Sequence, residues 1–97
     1  MNFAAFKRCL AAAEPPDDLS EALAGLWWDA KGDWDRAHDR AQAQDDAAGA
    51  WVHAYLHRKE GDAANAGYWY RRAGREPSTA ALPEEWEAIV RSLLAAD

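Results

Sequence analysis

The chain has 97 residues, with 17 acidic side chains, 11 basic side chains and a net charge of −6. A chain of this length forms one domain that buries about two-thirds of its unfolded surface, so its fold needs neither a disulfide nor a metal. The negative charge argues against a nucleic-acid backbone or an anionic membrane as a partner.

Composition and periodicity predict an all-α protein of about six helices. Alanine is the commonest residue, β-branched residues are scarce, and no segment alternates apolar and polar side chains over the length of a strand. Caps and breakers divide the single domain, residues 1–97, into four parts. These are an N-terminal capping helix at 1–14, helical hairpins at 18–44 and 46–74, and a C-terminal capping helix at 83–96.

The first two helices are predicted from their starts and stops. Asn2 can cap a helix over residues 3–13, which the prolines at 15 and 16 end. Asp18, with Glu21 three residues later, has the spacing of a capping box and predicts the start of the second helix. The apolar residues of the second helix share one face: Leu19, Ala22, Leu23, Leu26, Trp27 and Ala30. The remaining helix boundaries are predicted at Gly32, Asp33, Asp45 or Asp46, Gly61, Asp62 and Pro83.

The stretch from residue 50 to residue 73 is predicted to be the centre of the fold. Its first helix is apolar on most sides and leaves only a thin strip, which consists of Gly49, His53, His57 and Glu60. We therefore expect this helix to have neighbours on most sides. Its second helix has a single stripe of mostly small residues, which allows a close approach of helices: Ala63, Ala66, Tyr70 and Ala73.

The two hairpins look like versions of one unit, because Gly32-Asp33 and Gly61-Asp62 lie 29 residues apart. The first unit contains Gly25, Trp28, Gly32, Asp33, Trp34 and Ala37. The second contains Ala54, Gly61, Asp62, Ala66, Tyr70 and Ala73, and its segment YWYRRA is similar to the end of a Sel1-type unit. About half of the chain thus resembles a tetratricopeptide or Sel1-like repeat, although His57 and Ala63 stand where that family has aromatic residues. The resemblance implies a right-handed stack of antiparallel hairpins.

The same resemblance implies a non-enzymatic protein- or peptide-binding module, because the first helix of each such unit lines the concave face. In this sequence that register selects Leu26, Trp51, Tyr55, Arg58 and Lys59. Aromatic rings beside two cations suit an extended peptide with a carboxylate, since paired donors fix its orientation. The alternative is that a terminal helix packs on these rings and that the cations are merely solvated.

His53 and His57 form the sharpest chemical pattern. Their i, i+4 spacing puts both imidazoles on one side of a helix, as two metal ligands require. A third ligand is not evident, because His38 belongs to another helix and Glu60 or an aspartate would have to converge on the pair. The alternative to a metal site is that both histidines are half-buried and hydrogen-bonded against the fifth helix.

Catalysis has little support in the sequence. The serines have no recognisable histidine and acid partners, and no glycine-rich phosphate loop is present. Six aspartates stand where helix caps are wanted: Asp17, Asp18, Asp33, Asp45, Asp46 and Asp62. The sequence therefore predicts a protein that is not an enzyme and has no cofactor. The single Cys9 and the lack of a secretory signal pattern predict a cytoplasmic protein with an unknown protein or peptide partner, no nucleic acid and no membrane. Homodimerisation through an aromatic patch remains an alternative.

Overall fold

The computed structural model describes residues 1–96, which form six α-helices and no strand. The helices are α1 (Phe3–Cys9), α2 (Glu21–Ala30), α3 (Trp34–Ala43), α4 (Ala47–Glu60), α5 (Ala63–Ala73) and α6 (Leu82–Ala95). The predicted all-α class is confirmed. No helix in these residues combines the length and the apolar character that crossing a membrane requires.

The turns that close the two hairpins have the same geometry. Gly32, after α2, has φ of 82°, and Gly61, after α4, has φ of 91°, a left-handed conformation that glycine adopts without strain. The amide of Asp33 then donates to the carbonyl of Trp28 at 3.0 Å, and the amide of Asp62 donates to that of His57 at 2.9 Å. Turn chemistry read from the sequence thus defines both hairpins, α2–α3 and α4–α5.

Two predicted helix boundaries were wrong. Helix α2 begins at Glu21 and is capped by Ser20, whose Oγ accepts from the amide of Leu23, while Asp18 lies in the preceding turn. Ser20 and Asp18 are equally good caps in chemical terms, and the chain uses the later one. Helix α1 ends at Cys9 instead of residue 13, because the following amides bond three residues back instead of four.

Helix α4 is the centre of the fold, as predicted. It packs against α2, α3, α5 and α6, while α1 packs on α6 at the periphery. The largest fully buried side chains come from five helices: Phe6, Leu23, Leu26, Trp27, Val52, Leu56, Tyr70, Ile89 and Val90. The strip of α4 that carries Gly49, His53 and His57 is also buried, because α3 and α5 close over it.

Candidate metal centre

All three histidines of the chain converge at the place where α3 and α5 meet α4. His38 comes from α3, and His53 and His57 come from successive turns of α4. One ring nitrogen from each lies within 4.8 Å of the others. The closest pair is Nε2 of His38 and Nε2 of His53, which are 2.8 Å apart. The sequence pattern of two histidines therefore becomes a cluster of three.

Two tryptophans hold the histidine cluster in place. The indole of Trp34 stacks on His38 with ring centroids 4.9 Å apart, and its Nε1 donates to the carbonyl of Leu56 at 3.0 Å. This bond fixes α3 to α4 beside the cluster. The indole of Trp69, on α5, stacks on His53 at 3.8 Å. Flat contacts on two sides restrict the rotation of these imidazoles, so the ring nitrogens remain directed at one another.

The environment of the cluster favours the neutral form of two of its rings, His38 and His53. Burial is the main cause that lowers the pKa of His53 to about 4, and repulsion from His38, His57 and Arg72 adds to it. Burial also lowers the pKa of His38, and the nearby His57 lowers it further. Burial disfavours the charged imidazolium because it removes water from around the ring. At neutral pH His53 therefore presents a lone pair instead of a second proton, which is the form that binds metals.

His57 has a carboxylate partner. Its Nδ1 lies 2.7 Å from Oε2 of Glu60, one turn later on α4. In the neutral ring this contact fixes the proton on Nδ1 and leaves the lone pair on Nε2. A ligating histidine commonly donates its other N–H to a carboxylate in this way. The side chain of Asn65, on α5, adjoins the same ring, with Nδ2 3.3 Å from Nε2 and 3.5 Å from Nδ1.

The donor set fits a transition metal. Tetrahedral zinc binds histidine nitrogen at about 2.0–2.1 Å, which separates neighbouring ligand atoms by about 3.3 Å. The 2.8 Å contact between His38 and His53 needs to open only slightly to accept an ion in place of the shared proton. Neutral imidazoles suit zinc, copper and nickel, whereas magnesium and calcium prefer oxygen ligands.

The set predicted to bind peptides is mostly engaged inside the fold. Leu26 and Trp51 are buried. Arg58 bonds Glu85 of α6 at 2.8 Å and also donates to the carbonyl of Ala80. The buried Glu85 carboxylate accepts in addition from the Tyr70 hydroxyl at 2.6 Å and from the Trp51 indole at 3.4 Å. Similarly, the buried carboxylate of Asp29 accepts from Tyr55 at 3.0 Å and from Lys59 at 2.9 Å.

An open groove nevertheless adjoins two members of that set. It has a volume of about 460 Å³ and lies where α1, the end of α2, α4 and the start of α6 meet. Its lining combines apolar side chains with two lysines: Lys7, Leu10, Asp29, Ala30, Tyr55, Lys59, Leu82, Pro83 and Trp86. Lys7 and Lys59 are therefore the cations that a ligand in this groove would meet.

The sequence contained a signal for His38. Trp34, Ala37, His38 and Ala41 follow the i, i+3, i+4, i+7 spacing of one helical face, so His38 belongs to the inward side of α3. The spacing does not give the position along α4 at which α3 packs, and that position decides whether His38 meets His53.

Comparisons with protein-family models, curated proteins and solved structures give no match for this chain.

Proposed function

We propose that this protein binds a divalent transition metal ion through His38, His53 and His57. The observation that carries the proposal is the convergence of three imidazoles from two helices, with donor atoms within 4.8 Å of one another. Two neutral, restrained rings supply lone pairs in a fixed orientation, and the Glu60 carboxylate accepts the other N–H of the third ring. Zinc, copper and nickel are the ions that match these donors.

The bound ion would connect the two hairpins, since His38 belongs to α2–α3 and the other two ligands belong to α4–α5. An ion that binds the folded state alone stabilises it, by about 2.7 kcal/mol when the free ion is at one hundred times its dissociation constant. For a domain of this size that gain corresponds to a rise of about 10 °C or more in melting temperature. The role that we propose is non-enzymatic, namely binding of the metal with a coupled gain in stability.

Calorimetric titration of the metal-free protein with Zn²⁺, Cu²⁺ and Ni²⁺ tests the proposal. We expect one ion per chain, a higher melting temperature, and loss of both effects in His38→Ala, His53→Ala and His57→Ala. His38→Ala is the most informative variant, because that ring is only half-buried and its removal leaves the core intact. Absence of binding heat with all three ions, or unchanged affinity in folded His38→Ala, would refute the site.

As a second function we propose the binding of a peptide that ends in a free carboxylate. The groove beside Tyr55 and Lys59 supports it, because an apolar side chain can lie between Leu10 and Trp86 while Lys7 and Lys59 face the carboxylate. Because Lys59 is paired with Asp29 in the same lining, Lys7 supplies the excess positive charge of the groove on a protein with a net charge of −6. Such a peptide would be held by apolar contact and oriented by charge.

An array of short peptides with free or amidated C-termini tests this second function. Binding should require the free carboxylate and should fall in Lys7→Glu. The matched control is Arg8→Glu, because Arg8 is exposed on the same helix and does not line the groove. Equal binding of free and amidated peptides, or equal loss in both variants, would argue against the groove.

A further inference from the structure

The three histidines provide three of the four ligands that a tetrahedral ion needs. In residues 1–96 the group of donor atoms within 4.8 Å of one another contains these three side chains and no carboxylate or thiol. A zinc ion with four protein ligands is enclosed, whereas an ion with three keeps its fourth position for water or another small molecule. The surroundings of the cluster therefore decide what the ion can bind.

Two side chains that adjoin His57 do not suit the fourth position. The side-chain nitrogen of Asn65 is 3.3 Å from Nε2 and 3.5 Å from Nδ1 of that ring. A group almost equally far from both nitrogens lies over the face of the ring, at about a right angle to the lone pair. The carboxylate of Glu60 is bound to Nδ1 at 2.7 Å, on the nitrogen that the ion does not use. Neither side chain faces an ion on Nε2.

Solvent reaches the cluster on the side of His38. This ring is half-buried, whereas His53 and His57 are buried. Planar groups cover one face of each ring: Trp34 on His38, Trp69 on His53, and the amide of Asn65 on His57. The exposed part of the cluster therefore belongs to His38.

The surface around His38 is acidic. Asp35 and Asp39 are exposed on the same helix, and Glu60 is the last residue of α4. All three carboxylates act to raise the pKa of His38, so their charges reach the ring, although burial and His57 outweigh them. A rim of this kind attracts cations and repels anions, and it acts little on an uncharged molecule.

We propose that the ion keeps its fourth position on the solvent side of His38, where a bound water exchanges for a small uncharged nitrogen base such as imidazole. The inference rests on the proposed metal site and deepens it, because it names the class of ligand that the ion takes. Nitrogen bases suit zinc, copper and nickel for the same reason that the histidines do. The acidic rim selects against anions, which would otherwise compete for the position.

Titration of the Co²⁺-loaded protein with imidazole and with azide tests this inference, because the visible spectrum of the ion changes when a ligand is exchanged. We expect a saturable change with imidazole, while gel filtration shows that the ion stays on the protein. In Asp35→Asn/Asp39→Asn, azide should bind about fivefold more tightly at low salt, since two repelling charges are gone. The dissociation constant of imidazole should change by less than about twofold, because imidazole carries no charge.

The matched control is Asp17→Asn/Asp18→Asn. It removes the same amount of charge from the exposed turn before α2, which carries no ligand of the ion. The dissociation constants of azide and of imidazole should both stay within about twofold of the wild-type values.

The outcomes separate this inference from the metal site itself. A cobalt spectrum that neither imidazole nor azide changes would show a closed site and overturn this inference alone. An equal gain in azide binding in both double variants, or no gain in either, would overturn the selection by the acidic rim. A wild-type protein that gives neither a cobalt spectrum nor zinc heat would overturn the metal site as well. A saturable change with imidazole, together with an azide gain confined to Asp35→Asn/Asp39→Asn, supports both.

Discussion

Nε2 of His38 and Nε2 of His53 lie 2.8 Å apart, although the two residues belong to different helices. At that distance one nitrogen must carry a proton and the other must not, so the pair is compatible with neutral rings and incompatible with two imidazolium ions. The contact therefore links the protonation of the cluster to the packing of α3 on α4.

This link predicts that the metal-free protein loses stability in mild acid. Burial lowers the pKa of His53 to about 4, whereas its unfolded value is near 6.5, so the unfolded state binds the proton first. The contribution of neutral His53 is complete above about pH 6.5 and is lost as the pH falls towards 4. The free energy of unfolding lost in this way totals about 3 kcal/mol, because each unit of difference between the two pKa values is worth about 1.4 kcal/mol.

Urea unfolding of the metal-free protein between about pH 7 and 5 measures this effect before most carboxylates titrate. In His53→Gln the free energy of unfolding should depend less on pH over that interval. The same slope in wild type and variant would show that His53 does not cause the loss. Because His38 is hydrogen-bonded to His53, its own titration changes in the variant, and the difference in slope belongs to the pair.

A second prediction concerns Glu85, the buried carboxylate that joins α4, α5 and α6. Glu85→Ala should lower the free energy of unfolding by about 3–5 kcal/mol, because it leaves the Arg58 guanidinium and the Tyr70 hydroxyl without their partner. Glu84→Ala is the matched control, since Glu84 precedes it and is exposed. We expect that change to cost no more than about 0.5 kcal/mol. If Glu85→Ala and Glu84→Ala lose equal free energy of unfolding in denaturant, Glu85 does not join the three helices in this way.

Glu84 and Glu85 also show what sequence can and cannot reveal. Both stand near the start of α6, where acidic residues favour the helix, but the helical period puts only Glu85 on the side of Ile89, four residues later. The burial of Glu85 follows from the position of α6 on α4 and α5, and that position depends on contacts between residues distant in the chain. Turns such as Gly61-Asp62 were predictable for the opposite reason, since their chemistry is contained in a few adjacent residues.

The candidate metal site likewise has one part that was predictable from the sequence and one part that was not. The pairing of His53 with His57 was predictable because the α-helix itself sets the distance between positions i and i+4. The arrival of His38 depends on how far α3 slides along α4, which the helical period leaves undetermined. Likewise the repeat register predicted that Trp51 and Arg58 line a concave binding face, and it did not reveal that Glu85 of α6 would contact them there.

A third prediction concerns two helical glycines with opposite surroundings. A Cβ at Gly49 would lie 1.8 Å from the carbonyl oxygen of Gln44, so Gly49→Ala should lower the free energy of unfolding by at least about 2 kcal/mol. A Cβ at Gly67 would come no closer than 3.7 Å to a side chain of the same helix. Gly67→Ala should therefore stabilise the protein by about 0.5–1 kcal/mol. Denaturant unfolding of both variants measures the difference in sign, and a gain in Gly49→Ala would contradict the close approach of α4 to residue 44.

The last prediction concerns Glu60 as the residue that orients His57. Its carboxylate accepts from Nδ1 of His57. This contact leaves the lone pair on Nε2, which is the nitrogen available to a metal. Glu60→Ala should weaken zinc binding by about 10–100-fold without changing the stoichiometry of one ion per chain. Glu60→Gln retains an oxygen acceptor in the same place and should recover most of the affinity. Since Glu60→Ala also removes the acceptor of a buried N–H, the free energy of unfolding of each metal-free variant should be measured beside the calorimetry. Equal zinc affinity in Glu60→Ala and wild type would show that the orientation of His57 comes from packing rather than from this carboxylate.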